Sequence, residues 1–395
     1  MKPFEFQSVL FNFHDVMLLM TTMQCLFFGV LLYVTNTKNV KTAMFLSAFL
    51  FAHALIPANE LIMWGAEFKV QVRYEWPGLY FILQMAYYLD GPLLFLCIKS
   101  LVFKDFSLRK IDILHIVPLI IYLVFISTTF YSHTFDERQV MLINESFVYD
   151  TGYVSLELFN KGLRVFYAIA CVIMIRRYRY LLQDTYSNID KAHTNWLNGL
   201  VYGFMAVMFS ETVLVMAKII SLFTPIGNSV FSQIGLTGNY LSFVLVNLLV
   251  FTAIRHFLTF EQVTYKETAT KPVDDQFVNP EIATEIDIKM KDNKAFMDPD
   301  ITLDSLASAL EITSRDLSML INRHFGINFY EFINKYRIEE AKKMLSDPTH
   351  KKDTITDIYL AVGFNSKSVF YTFFKKFEDV TPSQFRKSAL EVGRA

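Results

Sequence analysis

Near its carboxyl end the chain reads TLDSLASAL at residues 302–310, EIT at 311–313 and SRDLSMLINR at 314–323. Thr313 can cap the helix that follows it, and Asp316, three residues on, completes the spacing of a capping box. Apolar residues recur on both sides of this turn at helical spacing: Leu303, Leu306, Ala307, Leu310, Leu317, Leu320 and Ile321. The pattern predicts a helix-turn-helix unit, whose second helix ends near Phe325.

A second unit of the same kind is predicted from about Thr354. Gly363 supplies its turn, because a positive φ costs little only at glycine. Asn365 or Ser366 can cap the next helix, predicted at 367–377. Between the two units, residues 328–345 carry apolar side chains that suit one long helix packed on both, and Pro348 ends it.

These residues resemble the DNA-binding domain of the AraC/XylS family. The segments that carry the resemblance occur in order: ITLDSLA at 301–307, LSMLIN at 317–322, YRIEEA at 336–341, AVGFNS at 361–366, FYTFFKK at 370–376 and VTPSQFR at 380–386. They cover about a quarter of the chain. A single helix-turn-helix pattern has little specificity, whereas two units with this connecting helix are a specific signature.

The resemblance implies that the second helix of each unit enters the major groove of double-stranded DNA. The residues it places there are Arg315, Ser318, Met319, Asn322, Lys367, Ser368, Tyr371 and Thr372. Arg and Asn have the donor geometry to read base edges, whereas Lys, Ser and Tyr more often hold phosphate. The sequence departs from the family pattern at Glu311, where glycine is frequent, and at Thr372, where a basic residue is common. The alternative is a domain that recruits protein instead of DNA.

The rest of the chain has the composition of a membrane protein. Of its 395 residues 53% are hydrophobic and 19% are charged, and the net charge is -1. Seven apolar runs approach or exceed the ~18–20 residues that span a bilayer. They lie near 16–34, 42–63, 77–98, 111–131, 156–176, 197–223 and 233–256. The sequence therefore predicts an all-α protein, a seven-helix transmembrane bundle followed by a soluble double helix-turn-helix domain.

Basic residues lie on alternate connections between these runs. Those after the first, third and fifth runs contain Lys38, Lys41, Lys99, Lys104, Arg109, Lys110, Arg176, Arg177, Arg179 and Lys191. The connection after the fourth run is acidic, with Asp136, Glu137, Glu145 and Asp150. The positive-inside rule then places the amino terminus outside and the carboxyl terminus in the cytoplasm of a bacterial cytoplasmic membrane. That orientation requires an odd number of spans, which seven satisfies.

The composition turns polar after the last run. We predict a transmembrane domain at 1–257, a polar linker at 258–300, the DNA-binding domain at 301–388 and a tail at 389–395. A helix is expected in the linker near 281–296, with Ile282, Ile286, Met290 and Phe296 on one face. It can pack on the DNA-binding domain, pair with a second copy of the chain in a homodimer, or remain a solvated spacer.

Ionisable residues inside the apolar runs are candidates for a signal site, because burying a charge in lipid is costly. We single out His53, Asp90, Arg164 and Glu211. Arg164 and Glu211 have opposite charge and similar predicted depth, so an ion pair between them is expected. Glu60 and Lys218 are further candidates, and the alternative for these two is that they reach the outer surface. The alternative for each residue is a polar contact that only holds helices together.

Enzyme signatures are absent from the sequence. It has no glycine-rich phosphate loop, no HExxH and no GxSxG, and its histidines show no metal spacing. Cys25, Cys97 and Cys171 fall in apolar runs, as buried small hydrophobic residues do. We assign no catalytic residue, metal or cofactor. The sequence favours a membrane-bound regulator of transcription, and the alternative is a transporter or receptor whose helical domain recruits protein.

Overall fold

The computed structural model describes residues 12–35, 40–65, 67–103, 106–188, 194–221, 224, 228–256 and 280–392. The chain divides into two compact units. The first unit consists of Met1–Ile175 and Asn195–Tyr265, and the second consists of Arg176–Thr194 and Lys266–Ala395. All regular elements in the described ranges are helices, so the all-α class predicted from the sequence is confirmed.

The first unit is built from long apolar helices and short connecting ones. They are α1 (Phe13–Thr35), α2 (Val40–Trp64), α3 (Phe68–Glu75), α4 (Ala86–Val102), α5 (Val117–Thr129), α6 (Phe135–Ile143), α7 (Thr151–Gln183), α8 (Thr194–Ser221) and α9 (Asn228–His256). Two of the predicted runs begin with 3-10 turns instead of an α-helix: Pro77–Leu79 and Leu83–Met85 precede α4, and Lys110–Ile116 precedes α5. The last part of α7, from Arg176, belongs to the second unit.

Six helical segments in the described ranges are long and apolar enough to cross a membrane: Phe13–Thr35, Val40–Trp64, Pro77–Val102, Lys110–Thr129, Thr151–Gln183 and Leu197–Ile220. The seventh predicted run, 233–256, lies within α9, which is 29 residues long but is not among these six. The count of seven therefore remains a prediction.

Helices α1 and α2 lie close together at Gly29. The Ser47 hydroxyl donates to the Gly29 carbonyl at 2.7 Å. A Cβ atom at Gly29 would lie 2.7 Å from the Phe51 ring. The absence of a side chain at Gly29 permits this approach of the two helices.

The second unit contains α10 (Pro280–Asn293), α11 (Leu303–Ala309), α12 (Ser314–Arg323), α13 (Phe329–Ser346), α14 (Ile355–Ala361), α15 (Lys367–Glu378) and α16 (Pro382–Val392). Thr302, Thr313, Asn328 and Thr354 cap the amino termini of α11, α12, α13 and α14 through their side chains. Ser366 occupies the capping position of α15 without a side-chain hydrogen bond. These bonds satisfy backbone N–H groups that a helix start leaves without partners.

Helix α13 joins the two helix-turn-helix units through two cores. Its Phe332 and Ile333 pack with α11 and α12, while Ile338, Ala341 and Leu345 pack with α14 and α15. Helix α10 belongs to the first of these cores through Ala283, Ile286, Met290 and, beyond its end, Phe296. Of the three expectations for this helix, the structure shows packing on the DNA-binding domain. The side chain of Ile282 lies outside the described residues.

A short extended segment after α7 pairs with the strand-like start of the DNA-binding domain. The Leu303 amide donates to the Thr185 carbonyl at 2.9 Å, and the Ser187 amide donates to the Ile301 carbonyl at 3.4 Å. The Asn188 amide group donates to the Pro299 carbonyl at 2.7 Å. We call residues 185–188 the docking segment. It belongs to the second unit although it lies more than a hundred residues earlier in the chain.

Two of the residues with left-handed backbone in the second unit lie in the turns inside the helix-turn-helix motifs. Gly363 has φ +96°, and a Cβ atom there would lie 2.6 Å from the Met297 carbonyl oxygen. Glu311, in the turn between α11 and α12, has φ +61°. Glycine adopts this conformation without the steric cost that a side chain brings. Glu311 stands where the family often has glycine, and the backbone geometry at this position favours glycine.

Candidate functional site

Helix α12 has one buried face and one accessible face. Leu317, Leu320 and Ile321 are buried in the core. On the accessible face, Arg315 and Asn322 are exposed, and Ser318 and Met319 are half-buried. The Asn322 amide group donates to the Ser318 hydroxyl at 3.3 Å. The four residues predicted to face DNA thus lie on the side of the helix that the core leaves free.

Helix α15, in the second helix-turn-helix motif, also has one buried face and one accessible face. Phe370, Phe373 and Phe374 are buried. The outer side carries exposed Lys367, Ser368 and Thr372 and half-buried Tyr371. The Lys367 ammonium lies 5.5 Å from the centre of the Tyr371 ring, and the Thr372 hydroxyl donates to the Ser368 carbonyl at 2.8 Å.

Arg337 of α13 binds the backbone just before the DNA-binding domain and the docking segment. It is fully buried, and its guanidinium donates to the Phe296 carbonyl at 2.7 Å and the Asp298 carbonyl at 2.8 Å. It also donates to the hydroxyl of Ser187, in the docking segment, at 3.1 Å. Burial lowers the pKa of Arg337 to about 10, so it stays charged at neutral pH. A buried charge held by several acceptors favours one arrangement of the elements that supply them.

Comparison with known proteins agrees with this geometry. The family model described as a helix-turn-helix domain matches residues 306–388. The carboxyl-terminal segment is an AraC/XylS-type helix-turn-helix domain. An uncharacterised HTH-type transcriptional regulator of Staphylococcus aureus strain COL is 38% identical over 87 residues. The uncharacterised HTH-type transcriptional regulator YtdP of Bacillus subtilis is 30% identical over 88 residues.

The likeness to these relatives is confined to the AraC/XylS-type domain. Each match covers 22% of this chain and 11% of the relative. No solved structure matches this chain. The relatives therefore bear on the carboxyl-terminal domain, and the first unit must be interpreted from its own residues.

The first unit contains a buried ionic cluster centred on Arg164. The guanidinium of Arg164 contacts the Asp90 carboxylate at 2.7 Å and also contacts the Glu211 carboxylate. Lys161, one helical turn before Arg164, contacts Glu211 at 2.8 Å. The Tyr87 ring lies 5.0 Å from the Lys161 ammonium and 5.3 Å from the Arg164 guanidinium carbon. The expected contact between Arg164 and Glu211 is thus present, as part of a larger cluster.

The structure does not join His53 to this cluster by a hydrogen bond in the described part of the chain. Its ring is buried, stacks on Phe49 with centroids 5.6 Å apart, and faces the Ser242 hydroxyl at 3.4 Å. Lys218 does not follow the alternative of reaching an outer surface, since it contacts Glu157 at 2.8 Å with its side chain mostly buried.

Sequence reasoning missed two residues that the structure brings into these sites. Lys161 was not among the predicted signal-site residues, although its spacing of three from Arg164 places both on one helix face. Ser187 gave no signal, because its partner Arg337 lies 150 residues away in the sequence. Such a contact depends on the tertiary fold, and no local sequence pattern predicts it.

Proposed function

We propose that this chain is a membrane-bound one-component transcriptional regulator. Its AraC/XylS-type domain binds specific double-stranded DNA in the cytoplasm, and its helical first unit senses a signal in the bacterial cytoplasmic membrane. The observation that carries the proposal is one chain with an AraC/XylS-type domain after six helices that can each cross a bilayer.

Helix α9 is the seventh span in this proposal. Its 29 residues contain no Asp, Glu or Lys, and its only Arg is Arg255 near the end. A helix of that length extends ~43 Å, more than the ~30 Å of a bilayer core. Seven spans place the amino terminus outside and the AraC/XylS-type domain in the cytoplasm, which agrees with the alternation of basic connections.

DNA recognition in this proposal uses α12 and α15. Arg315 and Asn322 are exposed on α12 and read base edges, while Lys367 and Ser368 begin α15 and hold phosphate. The DNA-facing surface of α12 also contains Ser318 and Met319, and that of α15 also contains Tyr371 and Thr372. Because α13 contributes to both cores, the two reading helices are held as one body and engage successive major grooves.

The experiment that tests this function uses the full chain in lipid nanodiscs. Genomic DNA fragments are mixed with it, captured fragments are sequenced, and the enriched sites are footprinted. We expect a small set of enriched sites, each protected over two adjacent helical turns. Capture of all fragments in proportion to their length would contradict sequence-specific binding. Capture of none would favour a receptor that recruits protein partners.

A further inference from the structure

A cavity of about 840 Å³ lies among the helices of the first unit. Sites for small molecules have volumes in this range and combine apolar walls with a few polar groups. Glu60, Asn160 and Glu211 line the part formed by α2, α7 and α8, and Arg73 and Tyr149 line the part nearer the connecting segments. Those connecting segments are the ones that loop charge predicts to be outside.

Most charges that line the cavity are paired with each other. Arg73 contacts Glu145 at 3.1 Å, Lys161 contacts Glu211 at 2.8 Å, and Lys218 contacts Glu157 at 2.8 Å. These three pairs contribute no net charge, and outside them the lining carries two further charged side chains, the Glu60 carboxylate and the Lys69 ammonium.

Two acceptors on α2 remain available. The Glu60 carboxylate accepts a hydrogen bond from the Tyr87 hydroxyl at 2.6 Å and forms no ion pair within the described ranges. Next to it in the chain, Asn59 is fully buried, and its side-chain oxygen has no hydrogen-bond partner among the described residues. Both residues line the cavity. A buried acceptor without a donor is costly, and a carboxylate without a cation more so.

The cavity walls are rich in tyrosine, and these rings already hold ammonium groups. The Lys161 ammonium lies 5.0 Å from the centre of the Tyr87 ring. The Lys218 ammonium lies 5.1 Å from the Tyr153 ring and 5.5 Å from the Tyr149 ring. Aromatic faces attract cations, so this lining suits a positively charged guest.

We propose that the cavity binds a small organic amine in its ammonium form. The ammonium donates to the Glu60 carboxylate and to the Asn59 side-chain oxygen, and the rest of the molecule lies among the tyrosine rings. This inference deepens the sensor role and rests on the proposed function, because the amine would be the signal. Tyr87 connects the two sites: its hydroxyl donates to Glu60, and its ring lies beside Lys161 and Arg164 of the ionic cluster.

The test compares probes of one shape and different charge on the purified full chain in nanodiscs. Tyramine is the aromatic amine, 4-ethylphenol its neutral counterpart and 3-(4-hydroxyphenyl)propionate its anionic counterpart, and butylamine is a second amine. Binding is measured by isothermal titration. We expect tyramine to bind at least about tenfold more tightly than the neutral and anionic probes, since its ammonium meets an acceptor pair. Equal or tighter binding of either counterpart would overturn the proposal, and so would failure of both amines to bind below about 10 mM.

A variant then assigns the binding to Glu60. Glu60→Gln keeps the shape and removes the charge, and we expect it to weaken tyramine binding about 10- to 100-fold. Glu137→Gln makes the same change on the exposed side of α6, outside the cavity, and should bind as the parent does. Unchanged tyramine binding by a folded Glu60→Gln would place the amine elsewhere. If Glu60→Gln fails to fold, the comparison of probes on the parent protein still decides the proposal.

The outcome is separable from that of the proposed function. Tyramine binding is measured without DNA, so the cavity can bind amines in a chain that fails to select DNA sites. Conversely, specific DNA capture together with no amine binding would leave the regulator intact and remove only this inference.

Discussion

Arg315 and Lys367 occupy corresponding places at the starts of α12 and α15, and both are exposed. A guanidinium can make two hydrogen bonds to guanine, whereas an ammonium acts mainly as a point charge. We predict that Arg315→Ala costs about 1–3 kcal/mol at a preferred site and relaxes selectivity there. We predict that Lys367→Ala weakens binding to all sequences and lowers the salt slope by about one.

The measurement is a salt titration of binding by the full chain, on an enriched site and on random DNA. Lys351→Ala is a matched control, since Lys351 is exposed in the turn after α13 and belongs to neither reading helix. Full affinity in both the Arg315 and Lys367 variants, with the domain folded, would mean that α12 and α15 do not read DNA.

Glu311 offers a second prediction at the scale of one residue. Its φ of +61° carries a steric cost of about 1–2 kcal/mol for a residue with a Cβ atom. Glycine removes that cost but loses more backbone entropy on folding, so we expect Glu311→Gly to stabilise the second unit by about 0.5–1 kcal/mol. Thermal unfolding of the full chain, followed by the near-ultraviolet signal, measures this. Glu311→Ala keeps the Cβ atom and removes the charge, so a gain in that variant as large as in glycine would refute the backbone explanation.

The residues that sequence could predict here were those with a local signal. The turn at Gly363 and the cap at Thr313 followed from spacing alone, and the structure shows both. The hydrogen bonds of Arg337 could not be predicted, because its acceptors are carbonyl groups that only the tertiary fold brings close to it. The DNA-facing roles of the α12 and α15 residues remain predictions.

At the scale of elements, helix existence was predicted better than helix boundaries. The central helix was expected at 328–345 and is Phe329–Ser346, because Asn328 caps one end and Pro348 follows the other. The fifth apolar run was expected at 156–176, whereas α7 spans Thr151–Gln183. Hydropathy detects only the apolar part of a helix, so it did not predict the polar turns at the two ends of α7.

The docking segment leads to a prediction at this scale. Asn188 donates to the Pro299 carbonyl and, at 3.3 Å, to the Gly363 carbonyl, so Asn188→Ala removes the donor group that these two backbone carbonyls share. We expect a loss of about 1–2 kcal/mol in local stability, which corresponds to roughly 5- to 30-fold faster exchange of the amides that bond this segment. Hydrogen–deuterium exchange of the full chain reports it at Leu303, whose amide donates to Thr185.

The control for this variant is Asn365→Ala, an exposed asparagine before α15. It should leave exchange at Leu303 unchanged. If exchange at Leu303 were equally slow in the parent and in Asn188→Ala, residues 185–188 would not be a stabilising part of the AraC/XylS-type unit.

At the scale of the whole molecule, the orientation depends on the parity of the spans. Six spans would place both termini on one side, whereas α9 as a seventh places them on opposite sides. We predict that alkaline phosphatase fused after Asp150 is active, because the acidic loop is outside, and that the same enzyme fused after Lys104 is inactive. Fusion after His256 should also be inactive and tests α9 directly. Activity after His256 or Lys104 would place the AraC/XylS-type domain on the wrong side for DNA.

The central claim is that one intact chain both spans the membrane and binds specific DNA. Its most direct test is crosslinking in living cells, isolation of the membrane fraction, and sequencing of the DNA recovered with the full-length chain. The account predicts discrete enriched loci in the membrane fraction, and their loss in Arg315→Ala at the same protein level. The absence of enriched loci, or their recovery only with a shortened fragment in the soluble fraction, would contradict a regulator that acts while anchored in the membrane.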